Sequence, residues 1–303
     1  MKHLLGIDAL DKDAILAILD RAEFYVRALQ EKDWDRERLR HKLILHLFFE
    51  NSTRTLISFE MAAKRLGAEV VNWDLETSSL SKGENFLDTI DTLCAMKPDA
   101  IVMRHSEYGA PLVVAKRAPC PVINGGDSWR EHPTQALLDA LTMRRHFGTL
   151  EGLCVAIVGD IAHSRVASSN IGLLTRMGVQ VRVIAPEILM PEKLPAEGVE
   201  RFSSLEKGLP GADVIMTLRL QKERMNTALI ASDAAYFNEY GLTTAIVDRF
   251  APKAMIMDPG PLVRGLQMSD DLAEDPARSL ILKQVANGIP TRMAVLDMLV
   301  GGE

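Results

Sequence analysis

Apolar residues recur at helical spacing over residues 11–30, with Ile15, Ile18, Leu19, Ala22 and Val26 on one face. Leu43 to Phe49 is a short apolar run that reads as a buried strand. A helix is expected next, with Leu56, Phe59, Ala63 and Leu66 on its apolar face and Gly67 at its stop. Glu69 to Trp73 reads as a strand, followed by a Ser-rich loop and a helix from about Glu84. Strands are then expected at Ala100–Met103 and Pro121–Asn124. His132-Pro133-Thr134 opens a helix through Phe147, which Gly148 ends; Pro suits a first helical turn. The pattern restarts with strands at Cys154–Val158, Val179–Ala185, Ala212–Thr217, Ala245–Asp248 and Ala254–Met257, and a helix from about Arg165. A last helix is expected from about Pro290 to Val300.

Strands that alternate with helices imply βαβ units and parallel sheets covered on both faces. The expected fold is therefore α/β, with two Rossmann-like three-layer domains, a bridging helix and a C-terminal helix that crosses back. A length of 303 residues agrees with two domains of roughly 150 residues each. Ligand loops in such sheets lie at the carboxyl ends of the strands, and a site between two domains suits two substrates.

Composition narrows the function classes. The net charge of -6 is spread along the chain, which disfavours nucleic acid as a partner. No segment reaches the roughly 20 apolar residues of a membrane span, and the N-terminus has no apolar run of signal length. A cytoplasmic enzyme is expected. Cys94, Cys120 and Cys154 are far apart and odd in number, so they read as buried reduced thiols and not as metal ligands or a disulfide framework. No metal and no cofactor are expected.

Glu50-Asn51-Ser52-Thr53-Arg54-Thr55 lies between a predicted strand and a predicted helix. The first N–H groups of a helix lack intrahelical partners and sit at the positive end of its dipole. Hydroxyls and an arginine there can complete a phosphate site. An ordinary Ser/Thr cap beside a solvated arginine accounts for these residues equally well. No GxxxxGK[ST] is present, and Val158-Gly159-Asp160 lacks the later glycines of a dinucleotide fingerprint.

The rest of the chain decides. Phe48 to Thr55, followed by Ser58-Phe59-Glu60, resembles the carbamoyl-phosphate signature of the aspartate carbamoyltransferase catalytic chains. Further blocks match in the same order: Ser81-Lys82-Gly83-Glu84, Met103-Arg104-His105, His132-Pro133-Thr134-Gln135, the arginine after Val158-Gly159-Asp160, Arg219 to Arg224, and Pro259-Gly260-Pro261. The resemblance covers nearly the whole chain. It implies transfer of a carbamoyl group from carbamoyl phosphate to L-aspartate, the second step of de novo pyrimidine biosynthesis.

It also implies roles. Ser52, Thr53, Arg54 and Thr55 hold the phosphate, and Thr55 also reaches the carbonyl oxygen. Arg104 bridges phosphate and carbonyl, His132 donates to the carbonyl oxygen, and Gln135 holds the carbamoyl nitrogen. Arg165, Arg219 and Gln221 bind the carboxylates of aspartate. The Pro259-Gly260-Pro261 turn places the amine. Lys82 and either Ser78 or Ser79 match residues that the family supplies from a neighbouring subunit, which implies a homotrimer with shared sites. Regulatory or dihydroorotase chains are conceivable further partners. The implied division is residues 1–132 for carbamoyl phosphate, 133–148 as the bridge and 149–289 for aspartate, with 290–303 packing back on the first domain.

Each residue keeps a plainer reading. His132 could merely start a helix, Lys82 and Glu84 could belong to a solvated loop, Arg165 could pair structurally, and Arg219 to Arg224 could be an exposed charged loop. Glu50 is a candidate to orient a site arginine. Three positions depart from the family: Leu56 where arginine is usual, Asp258 where histidine is usual, and Val263 where many bacterial members have asparagine. Asp258 brings a carboxylate toward the site of a dianionic acceptor. The rivals are a carbamoyltransferase for ornithine or another amine, a non-catalytic homologue, and a dinucleotide-dependent oxidoreductase. The ornithine family's HCLP string is absent, and Arg219 with Gln221 suits a second carboxylate.

Overall fold

Four parallel strands organise the first unit: β1 (Leu43–Phe48), β2 (Glu69–Asn72), β3 (Ala100–His105) and β4 (Val122–Asp127), in the order β2-β1-β3-β4. The computed structural model describes residues 1–74, 83–221 and 232–302. β3 and β4 are buried along most of their length, as strands covered on both faces must be. The helices here are α1 (Lys12–Glu31), α2 (Thr53–Arg65), α3 (Phe86–Ala95), α4 (Ala110–Arg117) and the start of α5 (Pro133–Phe147). The predicted apolar face of α1 is buried, and Asp11 caps it by accepting from the Ala14 N–H at 2.8 Å. On α2 the buried stripe is Thr55, Phe59, Ala62 and Ala63, so Leu56 sits only at its edge. Cys94 and Cys120 are buried free thiols, and burial pushes Cys120 up to about 11.

Five parallel strands organise the second unit: β5 (Cys154–Val158), β6 (Gln180–Ile184), β7 (Glu200–Phe202), β8 (Val214–Thr217) and β9 (Met255–Met257), in the order β7-β6-β5-β8-β9. Its helices include α6 (Arg165–Arg176), α7 (Leu205–Gly208), α8 (Asp233–Tyr240), α9 (Thr244–Phe250) and α10 (Asp270–Glu274). The chain divides into Met1–Leu141 with Asn287–Glu303, and Thr142–Ala286. Both α5 and α11 (Ile281–Val300) therefore span a division. The last residues join the first unit through Asp297, which accepts from Tyr25 Oη at 2.8 Å and pairs with Arg38 Nε at 2.5 Å.

Two predicted elements need correction. Ala245–Asp248 is not a strand but part of α9, whose cap Thr243 accepts from the Ile246 N–H at 3.3 Å. Three apolar residues before an aspartate carry no period that separates strand from helix, and the capping threonine decides it. The last helix starts nine residues before Pro290, at Ile281, and runs through the proline. Thr291 Oγ1 donates to Asn287 O at 2.8 Å and Arg292 Nη1 to Gly288 O at 3.1 Å, which adds bonds in the turn that proline weakens. The helices α4, α7, α8 and α10 and the strand β7 have no counterpart in the sequence pattern.

Candidate functional site

In a parallel sheet, ligands gather where the strand order reverses. In the first sheet that point lies between β1 and β3, where Phe48 sits beside Arg104 and the Phe49 N–H donates to Arg104 O at 2.8 Å. Glu50 to Ser52 follow β1, and α2 starts at Thr53. Ser52 gives α2 no side-chain capping bond, and Thr53 and Arg54 are exposed on its first turn. Among the described residues, Arg54 pairs with no carboxylate. An aromatic cluster backs the loop: Phe49 lies 4.9 Å from Trp73, 5.5 Å from Phe86 and 4.6 Å from His105, centroid to centroid.

Arg104 ends β3. Its Nε lies 3.3 Å from Glu50 Oε2, and its Nη1 donates to Gly125 O at 3.1 Å. Glu50 is thus in place to orient it. His132 precedes α5, and its Nε2 lies 3.4 Å from Thr55 Oγ1, although 77 residues separate them. Both are buried. Gln135, in the first turn of α5, donates from Nε2 to Asp139 Oδ1 at 2.9 Å. Thr55, Arg104 and His132 are donors of the kind that a developing oxyanion needs.

The second sheet reverses between β5 and β8. Gly159 follows β5 with φ +133, and a Cβ there would lie 2.3 Å from Leu218 O. This glycine serves close strand approach, so no dinucleotide fingerprint is needed to explain it. Asp160 is fully buried and accepts from His163 Nδ1 at 2.8 Å and from the Gln221 N–H at 3.1 Å. It ties the two loops at this reversal together. Arg165, the first residue of α6, is buried, and Arg219 Nη2 donates to Gln221 Oε1 at 3.2 Å.

Asp258, which follows β9, is 2% exposed. Its carboxylate accepts from Thr217 Oγ1 at 2.5 Å, Gln267 Nε2 at 2.5 Å and the Gly260 N–H at 2.6 Å. The departure at this position is therefore a structural anchor for the Pro259-Gly260-Pro261 turn, whose Gly260–Pro261 peptide is cis. Val263 is exposed, and its N–H donates to Gln267 Oε1 at 2.7 Å. Ser78, Ser79, Lys82, Lys222 and Arg224 lie outside the described residues. Asp139, Asp160, His163, Thr217 and Gln267 were not anticipated from sequence. Only Asp139 left a local trace, its i+4 spacing from Gln135 on a helix. Among the described residues no helix is long and apolar enough to cross a membrane.

Two parallel α/β units, each with polar side chains gathered at its strand-order reversal, define a protein of the doubly wound ligand-binding class. Residues 2–145 match the carbamoyl-P binding domain of the aspartate/ornithine carbamoyltransferase family, and residues 151–299 match its Asp/Orn binding domain. The chain belongs to that family. It is 52% identical over 297 residues to the aspartate carbamoyltransferase catalytic subunit of Granulibacter bethesdensis, covering 98% of this chain and 94% of that one. The corresponding subunit of Acidiphilium cryptum is 51% identical, with 98% and 96% covered. Among solved structures, aspartate transcarbamoylase from Trypanosoma cruzi in complex with N-(phosphonacetyl)-L-aspartic acid superposes with a TM-score of 0.90 at 32% identity, with 99% and 96% covered. The catalytic subunit of the M. jannaschii enzyme gives 0.87 at 34% identity, with 99% and 98% covered.

Proposed function

We propose that this chain is an aspartate carbamoyltransferase: it transfers the carbamoyl group of carbamoyl phosphate to L-aspartate, giving N-carbamoyl-L-aspartate and phosphate. This is the second step of de novo pyrimidine biosynthesis, and the enzyme works in the cytoplasm. The observation that carries the reading is the gathering of Thr55, Arg104 and His132 around one strand-order reversal, with Thr55 and His132 3.4 Å apart.

Residues 1–132, with 290–303, form the carbamoyl-phosphate domain in this reading. Residues 133–148 form the connecting helix, and 149–289 the aspartate domain. Ser52, Thr53, Arg54 and Thr55 bind the phosphate. As the neutral amine attacks the carbamoyl carbon, charge grows on the carbonyl oxygen, where Thr55, Arg104 and His132 donate. A well-placed donor of this kind lowers the barrier by about 3–4 kcal/mol. Phosphate leaves with the bonding electrons and takes up the amine proton. Gln135 binds the carbamoyl nitrogen. Arg165, Arg219 and Gln221 bind the acceptor's carboxylates, and the Pro259-Gly260-Pro261 turn places its amine. Holding both substrates in reacting geometry supplies much of the remaining acceleration.

The test is a product assay with carbamoyl phosphate and, in turn, aspartate, ornithine, putrescine and oxamate. Carbamoyl aspartate should form alone; none at millimolar substrate would overturn the reading. Lys82 and Ser78 or Ser79 are assigned to a neighbour's site in a homotrimer. Mixing Arg54→Ala and Lys82→Ala chains, each inactive, should restore part of the activity, and no recovery despite proven subunit exchange would exclude a shared site.

A further inference from the structure

Gln135 and Asp139 stand one helical turn apart on α5, and both are buried, at 9% and 0% exposure. Gln135 Nε2 donates to Asp139 Oδ1 at 2.9 Å. An ionised carboxylate only accepts hydrogen bonds, so this bond exists for one orientation of the amide and not for its flip. Burial lowers the pKa of Arg292, on α11, and the nearby Asp139 opposes that shift. Arg292 is itself held: its guanidinium lies 5.0 Å from the centre of the Phe59 ring, and its Nη1 donates to Gly288 O.

We propose that Asp139 is a positioning residue that sets the acyl-group specificity of the carbamoyl-phosphate site. It takes one of the two N–H groups of Gln135 Nε2 and so fixes the orientation of the amide in which Oε1 is the acceptor that Gln135 offers to a substrate. A buried acceptor rewards an acyl group that carries an –NH2 and penalises one that carries a –CH3, because the methyl leaves the oxygen unpaired. Without the carboxylate the amide can turn, present its own N–H groups, and lose that preference. The inference rests on the assignment of Gln135 to the carbamoyl-phosphate site.

The experiment compares two non-hydrolysable phosphonates by calorimetry: phosphonoacetamide, with –CONH2, and 2-oxopropylphosphonate, with –COCH3. The wild-type chain should bind the amide at least tenfold more tightly. In Asp139→Asn, which preserves shape, the ratio should fall below threefold while affinity for inorganic phosphate stays within twofold. A merely structural role would move all three ligands together. An unchanged ratio in the folded variant overturns the proposal. If the variant does not fold, nitrogen-15 NMR of the wild-type chain decides. The Gln135 side-chain amide protons, assigned with Gln135→Met, should stay protected and nearly unshifted when phosphonoacetamide binds; a large shift of those protons refutes the proposal. Failure of the wild-type chain to bind either phosphonate or phosphate would instead refute the carbamoyl-phosphate site itself.

Discussion

Lowering the pH should destabilise the first unit through one buried histidine. His46, on β1, is 1% exposed and packs against Phe48 and Phe59, whose ring centres lie 6.0 and 6.3 Å away. Glu60 Oε2 accepts from Asn72 Nδ2 at 3.0 Å, which turns Asn72 Oδ1 toward His46 Nδ1 at 2.9 Å. Nδ1 is then the donor, and Nε2 has no hydrogen-bond partner among the described residues. A second proton on the ring would be buried unpaired. Burial, opposed by Asn72 and Glu60, accordingly lowers its pKa to about 4. In the unfolded chain the same group titrates near 6.5. Between these values the unfolded state holds a proton that the folded state refuses. The stability is therefore complete above pH 6.5 and falls as the pH drops toward 4, by about 3 kcal/mol in all and about 2 kcal/mol by pH 5. Trp34, Trp73 and Trp129 are the chain's tryptophans and all lie in this unit, so their fluorescence in urea reports its unfolding. Wild-type protein should lose about 2 kcal/mol more than His46→Gln between pH 7.5 and 5.0. Equal losses in the two proteins would refute the assignment.

Three further outcomes are expected. Glu50→Gln should leave Arg104 less firmly held and cut kcat about tenfold, about 1.4 kcal/mol, with the melting temperature nearly unchanged. Steady-state kinetics beside a thermal melt checks this. Gly159→Ala would place a Cβ against Leu218 O at a φ of +133, so unfolding experiments should show a loss of about 2–4 kcal/mol. Asp258→Ala should leave Thr217, Gln267 and the Gly260 N–H without their acceptor, costing about 3 kcal/mol or more in a denaturant titration and raising KM for aspartate more than for carbamoyl phosphate.

Much of this molecule can be read from its residues, for physical reasons that differ from place to place. The strand–loop–helix around Ser52 to Thr55 is legible because an apolar run, hydroxyl-bearing cap positions and an amphipathic helix all signal locally. The partnership of Thr55 with His132 is not local, and it entered only through the ordered series of family blocks. Ala245–Asp248 lies in a helix where its pattern predicts a strand, because so short an apolar-rich segment suits either element, and Pro290 lies inside a helix that it is expected to open, because proline suits a helix start as well as a tolerated interior position. Asp258 looked like a charge placed near an acceptor. Its role as the hub of three hydrogen bonds depends on Thr217 and Gln267, which no sequence period links to it.

The central claim is carbamoyl transfer to aspartate through the Thr55, Arg104 and His132 cluster. Carbon-13 NMR with carbamoyl-labelled carbamoyl phosphate and L-aspartate tests it most directly. The wild-type chain should build up the carbamoyl aspartate resonance as the donor signal falls, and Arg104→Ala should slow this at least 100-fold, in line with about 3 kcal/mol for a lost oxyanion donor. Equal rates for the two proteins, or donor loss with no carbamoyl aspartate, would contradict the account.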